Sequence, residues 1–336
     1  MKLMKTYTIA AISGDGIGPE CMAAAKKVLA ALAAKRGEFG LEFRDYNGGD
    51  EYKAKTGIAL PEETIKGVRE TDATLFIAVG NTAKEVILPL RQMNDCYANL
   101  RPAKAYPGVK ALKPATDIML VRENTEDLYK MVGTKGDGWG VNLRIITRKA
   151  SERIARYAFE WARKNGRKKV TAVHKANVLD LTDDVFLEAT RRIAKEYPTI
   201  KYDEGIVDAT AMKLVLAPES FDVIVTTNLF GDILSDECAG LVGGLGLAPS
   251  GNIGDKVSIF EPVHGSAPDI AGKGIANPAA TLLSAAMMLD WLGEGEAAKQ
   301  LERAVMAVLA EGKTITPDLG GRATTLQMAD AVTAKL

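Results

Sequence analysis

Thr6-Tyr7-Thr8-Ile9-Ala10-Ala11-Ile12-Ser13 runs without a break into Gly14-Asp15-Gly16-Ile17-Gly18-Pro19-Glu20, and the reading of that junction decides the fold. The first eight residues are largely apolar and fit a buried strand. The glycines follow where a strand hands over to a helix, as in dinucleotide-binding folds. That fingerprint wants glycine at its first, third and sixth positions, and the sixth here is Pro19. The segment is therefore read as a tight strand-to-helix turn with proline near the helix start, not as a Rossmann motif. Lys2 and Lys5 ahead of Tyr7–Ile12 give the outline of a secretory leader, but the apolar stretch is too short and ends in the glycines.

Outward from this junction the pattern repeats. Residues 73–80, 117–121, 169–174 and 221–227 are further apolar runs that read as buried strands. Between them, residues 151–165 place Ile154, Ala158 and Trp161 or Ala162 at helical spacing, and Gly166 is expected to cap that helix in a left-handed conformation. A second amphipathic helix is expected over 183–197, closed by Pro198. Alternating strands and helices imply an α/β fold with a mostly parallel sheet, whose ligands bind beyond the carboxyl ends of the strands. The residues after the strands are polar: Arg122, Lys175, Asn228 and Asp232.

The 336 residues are enough for two domains. Lys and Arg number 43, as do Asp and Glu, so no net field draws the chain to nucleic acid or to a membrane surface, and no partner of either kind is expected. No run approaches the ~18 apolar residues of a spanning helix. Cys21, Cys96 and Cys238 are an odd number at no metal-like spacing, which favours a reducing, cytoplasmic setting.

Four constellations carry chemistry. Asp232 and Asp236 are four apart, so on a helix they share a face at about 6 Å and repel unless a cation intervenes; Mg²⁺ or Mn²⁺ wants such oxygen ligands, whereas the plainer reading is a helix start. Asp208 is a possible third carboxylate. Arg91, Arg101 and Arg122 carry the forks that grip carboxylates, and together they would suit a dicarboxylic acid. The stretch from Glu261 to Pro278 is dense in Gly and Pro, and a loop of that length in a compact domain is usually functional.

The segments 14–20, Asn99-Leu100-Arg101-Pro102, Arg122-Glu123-Asn124-Thr125-Glu126, Lys175-Ala176-Asn177, 231–236 and 264–278, in this order, resemble the β-decarboxylating dehydrogenases. That family includes the isopropylmalate, isocitrate, homoisocitrate and tartrate enzymes, and the likeness is strongest to its archaeal isopropylmalate members. It runs from about residue 7 to the C-terminus. It implies a non-Rossmann α/β fold with a discontinuous cofactor domain, 1–98 and 243–336, and a central substrate, metal and dimerisation domain, 99–242. It also implies a homodimer, or a higher oligomer, with shared active sites. By the resemblance, Arg91, Arg101, Arg122 and Asn177 hold a 2-hydroxy dicarboxylic acid, while Asp232 and Asp236 bind the metal with Asp208 of the second chain. Tyr129 and the second chain's Lys175 act as acid and base. His264, Gly265, Ser266, Ala267, Asp269, Ile270 and Asn277 hold NAD.

The substrate's third substituent separates the members. Isocitrate enzymes usually place serine and asparagine six and four residues before the first clamp arginine; here stand Glu85 and Ile87, followed by Leu88. The apolar pair favours the branched alkyl group of 3-isopropylmalate, and an acidic Glu85 would repel a third carboxylate. Lys84 and Asn124 speak for isocitrate or homoisocitrate instead. Asp269 favours NAD, because a carboxylate accepts from ribose hydroxyls and repels the 2′-phosphate of NADP. A catalytically silent regulatory subunit or a plain binding protein fits less well, since Tyr129, Lys175, Asp208, Asp232 and Asp236 are all retained.

Overall fold

The computed structural model describes residues 5–336, so Lys2 of the leader-like outline lies outside the described residues. The apolar start is a core strand, β1 (Lys5–Gly14), in which Ile9, Ala10 and Ile12 are fully buried. The later strands are β2 (Phe39–Tyr46), β3 (Ala73–Ala78), β4 (Ala98–Lys104), β5 (Asp117–Glu123), β6 (Gly133–Gly136), β7 (Trp139–Asn142), β8 (Lys169–His174), β9 (Lys201–Ile206), β10 (Val223–Thr226), β11 (Pro249–Ile253) and β12 (Ser258–Pro262). The α-helices are α1 (Gly18–Arg36), α2 (Asp50–Thr56), α3 (Glu62–Glu70), α4 (Ile87–Met93), α5 (Arg148–Lys164), α6 (Asp180–Ala194), α7 (Val207–Leu216), α8 (Asn228–Val242), α9 (Ala279–Trp291), α10 (Gly295–Glu311) and α11 (Thr325–Lys335).

The chain folds as two units, one of Met1–Asn94, Tyr106–Ala111 and Gly243–Leu336, the other of Asp95–Ala105 and Leu112–Val242. In the first, the strands lie in the order β2-β1-β3-β12-β11, parallel except for β11. All six residues of β3 are buried, as expected of a strand covered on both faces. Helix α9 is apolar on nearly every side and packs against β11, β12, α1 and α10, the environment such a helix requires.

In the second unit the order is β4-β5-β10-β8-β9, with β4 antiparallel and the other four parallel. Leu234, Cys238 and Leu241 on α8, spaced by four and three, enter a core with Ile118, Leu120, Val173 and Ile224. That stripe roots the helix and leaves Asp232 and Asp236 on another face. A further ribbon, β6-β7, is exposed along its whole length.

Three details depart from the sequence reading. Arg122 lies within β5 rather than after it. Helix α5 begins at Arg148, because the Thr147 hydroxyl accepts from the Ala150 amide at 3.2 Å; Gly166 has the left-handed φ of 67° but follows an Asn165 cap. Helix α6 runs from Asp180 to Ala194, three residues earlier at each end than expected.

Candidate active site

In the first unit the carboxyl ends of β1, β3 and β12 meet, because these strands are adjacent and parallel. All three glycines of the turn are sterically required. A Cβ on Gly14 would stand 1.7 Å from the Ala78 carbonyl oxygen, on Gly16 2.0 Å from that of Ser266, and on Gly18 1.9 Å from that of Ser13. The Ile17 amide donates to the Ser266 carbonyl at 2.9 Å, so the glycine turn and the Glu261–Pro278 stretch form one surface. Glu20 holds that stretch by accepting from the amides of Gly274 (2.8 Å) and Ala276 (2.9 Å).

On this surface Nε2 of His264 is buried without a hydrogen-bond partner among the described residues, while its Nδ1 stands 3.0 Å from the Gly265 carbonyl oxygen. Burial pushes this imidazole below the ordinary histidine range, so it is neutral at pH 7. Gly265 is exposed, Ser266 and Ile270 are half-buried, and Ala267 adopts a positive φ of 41°. Asn277 donates to Asp318 at 2.9 Å. Asp269 is exposed and makes no hydrogen bond or ion pair among the described residues, so it does not cap the turn after Pro268.

The segment before Arg91 is built on carboxylates. Asp15 accepts from the amides of Asp50, Glu51 and Gly80, and Asp50 in turn accepts from those of Asn81 and Thr82. Glu85 is bound by Lys53 through both oxygens at 2.7 Å, so its charge is largely compensated and its repulsion of a third carboxylate is weaker than the sequence alone suggests. Ile87 is buried; Leu88 is half-exposed and shares a face of α4 with Arg91, three residues on. Arg91 pairs with Glu261 at 2.5 Å, and Asn252 binds the same Glu261 oxygen at 2.6 Å. Nε of Arg91 is buried without a hydrogen-bond partner among the described residues.

In the second unit, β5 and β10 are neighbours, which brings Arg122 to the start of α8. Its guanidinium bonds Asn228 at 2.9 and 2.7 Å and pairs with Asp232. Arg101, from β4, donates to Asn99 at 2.8 Å and to Ser235 at 2.6 Å, and stands 3.3 Å from both Asp232 and Asp236. Tyr129 donates to Asp232 and lies under Arg122, whose guanidinium carbon is 4.9 Å from the ring centre. A Cβ on Gly231 would stand 2.6 Å from the Arg122 side chain, so glycine lets α8 approach. Burial pushes the Tyr129 phenol up, opposed by Arg122 and reinforced by Asp232; it stays protonated through the neutral range. Burial, opposed by Arg101 and helped by the Asp232 charge, also raises Asp236. Neither aspartate lies in the first turn of its helix, which removes the helix-start reading.

Lys175 and Asp208 follow the neighbouring strands β8 and β9 and pair with each other, and that bond holds Asp208 below the ordinary carboxylate range. Among the described residues no three Asp, Glu, His or Cys side chains of one chain converge as a metal set, so Asp208 does not join Asp232 and Asp236 within a chain. Asn177 is exposed and makes no side-chain hydrogen bond among the described residues. Asn124 is buried and donates to the Cys96 carbonyl at 2.9 Å, so its amide nitrogen serves the fold. Sequence reasoning quoted Asn99, Asn228, Ser235 and Glu261 without giving them the role of orienting the arginines, and it missed Asn252, which holds Glu261; buried polar side chains at strand ends were the available signal.

The family model described as isocitrate/isopropylmalate dehydrogenase matches residues 8–332. The chain belongs to that family. Among curated relatives, the 3-isopropylmalate dehydrogenase of Methanothermobacter thermautotrophicus is 52% identical over 333 residues, 99% of each chain. The isocitrate/homoisocitrate dehydrogenase of Thermus thermophilus is 51% identical over 98% of each chain. The crystal structure of isocitrate dehydrogenase from Methylococcus capsulatus superposes with a TM-score of 0.93 at 44% identity, covering 98% of this chain and 99% of that one. The two-unit, mostly parallel α/β architecture without a Rossmann motif is thus this family's fold, and the chain is a dehydrogenase of the β-decarboxylating type. Among the described residues no helix is long and apolar enough to cross a membrane.

Proposed function

We propose that the chain oxidises and decarboxylates 3-isopropylmalate to 4-methyl-2-oxopentanoate and CO₂ with NAD, as a cytoplasmic enzyme of leucine biosynthesis. The observation that carries the substrate reading is Leu88, an accessible apolar side chain on the same face of α4 as Arg91. The archaeal relative's name agrees with it.

The donor set suits a hard divalent cation: Asp232 and Asp236 supply oxygen ligands one turn apart on α8, and burial, with the Asp232 charge adding to it, raises Asp236. Asp208 of a second chain would complete it. The orphaned His264 Nε2 and the unpartnered Asp269 carboxylate suit the adenosine end of NAD. When bound, Mg²⁺ or Mn²⁺ supplies Lewis-acid polarisation of the C2 oxygen and NAD the hydride acceptor. The chain's own residues do the rest. Arg91, Arg101 and Arg122 orient the carboxylates, Lys175 takes the hydroxyl proton, and Tyr129 returns a proton to carbon after CO₂ leaves.

A homodimer with shared sites is part of this reading. Trp139, Val141 and Leu143 on or beside the β6-β7 ribbon, Val178 and Leu181, Met212, Val215 and Leu216 on α7, and Ile233 on α8 are all exposed large apolar side chains. That much apolar surface suits burial against a second copy.

Two measurements test the substrate and the cofactor. The kcat/KM for isopropylmalate should exceed that for isocitrate, homoisocitrate and malate by about 10–200-fold, the effect of an apolar substituent in a fitted pocket. A preference for either tricarboxylic acid by that margin would overturn the reading and point to Lys84. NAD should be preferred to NADP, and the double change Asp269→Lys with Ile270→Tyr should move the preference toward NADP; equal wild-type kcat/KM for the two cofactors would remove Asp269 from the selection.

A further inference from the structure

Arg144, which follows the exposed β6-β7 ribbon, belongs to no motif of the site, yet its guanidinium reaches three separate segments. Nε donates to Asp127 at 2.9 Å, two residues before Tyr129. Nη1 donates to Asp183 and to Thr182 at 2.8 Å, and the other oxygen of Asp183 accepts from the Lys175 amide at 2.6 Å. Nη2 donates to Thr227 at 3.0 Å, where the chain enters α8. Asp127 closes the circuit, because its second oxygen accepts from the Leu229 amide at 3.1 Å in the first turn of α8. The guanidinium also lies 4.9 Å from the ring centre of Phe230.

Both carboxylates are fully buried and Arg144 is the cation that pairs with them. The turn that carries Tyr129 is strained at both ends: Asp127 has a φ of 69° and Met131 of 54°, a region that side chains other than glycine seldom occupy. Such a turn persists only where its surroundings over-determine it. Of the side chains available, only an arginine fork has the donors to serve two carboxylates and two hydroxyls at once.

We propose that Arg144 is the positioning residue that fixes three segments relative to one another: the Tyr129 turn, the Lys175 loop and the start of the α8 helix bearing Asp232 and Asp236. The inference rests on the roles given above to those four residues, but the geometry it asserts is testable without turnover. It acts through others and touches no reacting atom. Arg144→Lys keeps the charge and loses the fork, so it leaves the buried carboxylates compensated while freeing the segments.

Amide hydrogen exchange read by mass spectrometry should rise in Arg144→Lys at residues 127–131, 174–177 and 227–230, and stay unchanged in the sheet of the first unit. Thr227→Val, which removes a single acceptor of the Arg144 fork, should raise exchange at 227–230 alone. Turnover by Arg144→Lys should fall by about 10²-fold in kcat, the scale of an ångström of misplacement, with KM for NAD little changed. Methylguanidinium should partly restore Arg144→Ala where methylammonium at equal ionic strength does not. Unchanged exchange in those three segments, or wild-type kcat in folded Arg144→Lys, overturns the proposal. Should the exchange pattern appear in a chain whose wild type oxidises none of the hydroxy acids, the joint stands and the proposed function falls.

Discussion

Exhaustive chelation is expected to abolish turnover, and Asp232→Ala to lower kcat by about 10³-fold or more, since Lewis-acid stabilisation of developing charge is worth several kcal/mol. Asp232 is the hub of its cluster: Arg122, Arg101 and Tyr129 all engage it, and Asp236 lies one turn away. Asp236→Asn keeps the shape and removes one negative charge, so it should raise the metal concentration needed for half-maximal activity and lower kcat less. Calorimetric titration of Mn²⁺ gives the same ranking independently of rate. Wild-type kcat after dialysis against a strong chelator, with the metal content checked by emission spectroscopy, would remove the metal from the mechanism.

Lys175→Met and Tyr129→Phe are each expected to lower kcat by ~10²–10⁴-fold, the usual contribution of a positioned acid or base, with KM for NAD little affected. The two should fail at different steps. Tyr129→Phe retains the ring beneath Arg122 and loses only the hydroxyl bonded to Asp232, so hydride transfer can proceed while protonation of carbon stalls. Rapid-quench experiments should show NADH formed ahead of 4-methyl-2-oxopentanoate. Lys175→Met should show neither product early. If Lys175 serves the other chain's site, mixing and refolding Lys175→Met with Asp232→Asn should recover about a quarter of wild-type activity, because half of random dimers are hybrids and each holds one intact site. No recovery beyond the two parents would place Lys175 in its own chain's site, and wild-type rates in both single variants would discard the assignment.

Much of this protein was legible in the residues themselves. The α/β class followed from apolar runs such as 169–174 and 221–227, because strands covered on both faces must be apolar throughout. The rejection of a Rossmann turn followed from Pro19 alone. The four-residue spacing of Asp232 and Asp236 on α8 was likewise local, since a helix puts such residues on one face whatever surrounds it. Order along the strand order of a sheet was not legible. That β5 adjoins β10 while β8 adjoins β9 is what sorts the polar residues into an Arg122–Asp232 cluster and a separate Lys175–Asp208 pair, and strand order arises from packing between distant segments.

The partners of charged side chains were equally hidden. Glu85 looked like a repelling charge until Lys53, 32 residues away in the chain, was found on both of its oxygens. That the Asn124 amide meets the Cys96 carbonyl was likewise out of view, since the two are 28 residues apart in the chain. Arg144 carried no signal, because its value lies in four acceptors drawn from Asp127, Thr182, Asp183 and Thr227. Sequence determines what a residue is able to offer, a fork, a carboxylate or an apolar face, and the periodicity that presents it. Only tertiary structure decides to whom it is offered, because burial makes each unsatisfied polar group costly and so forces it onto whichever partner the fold brings near.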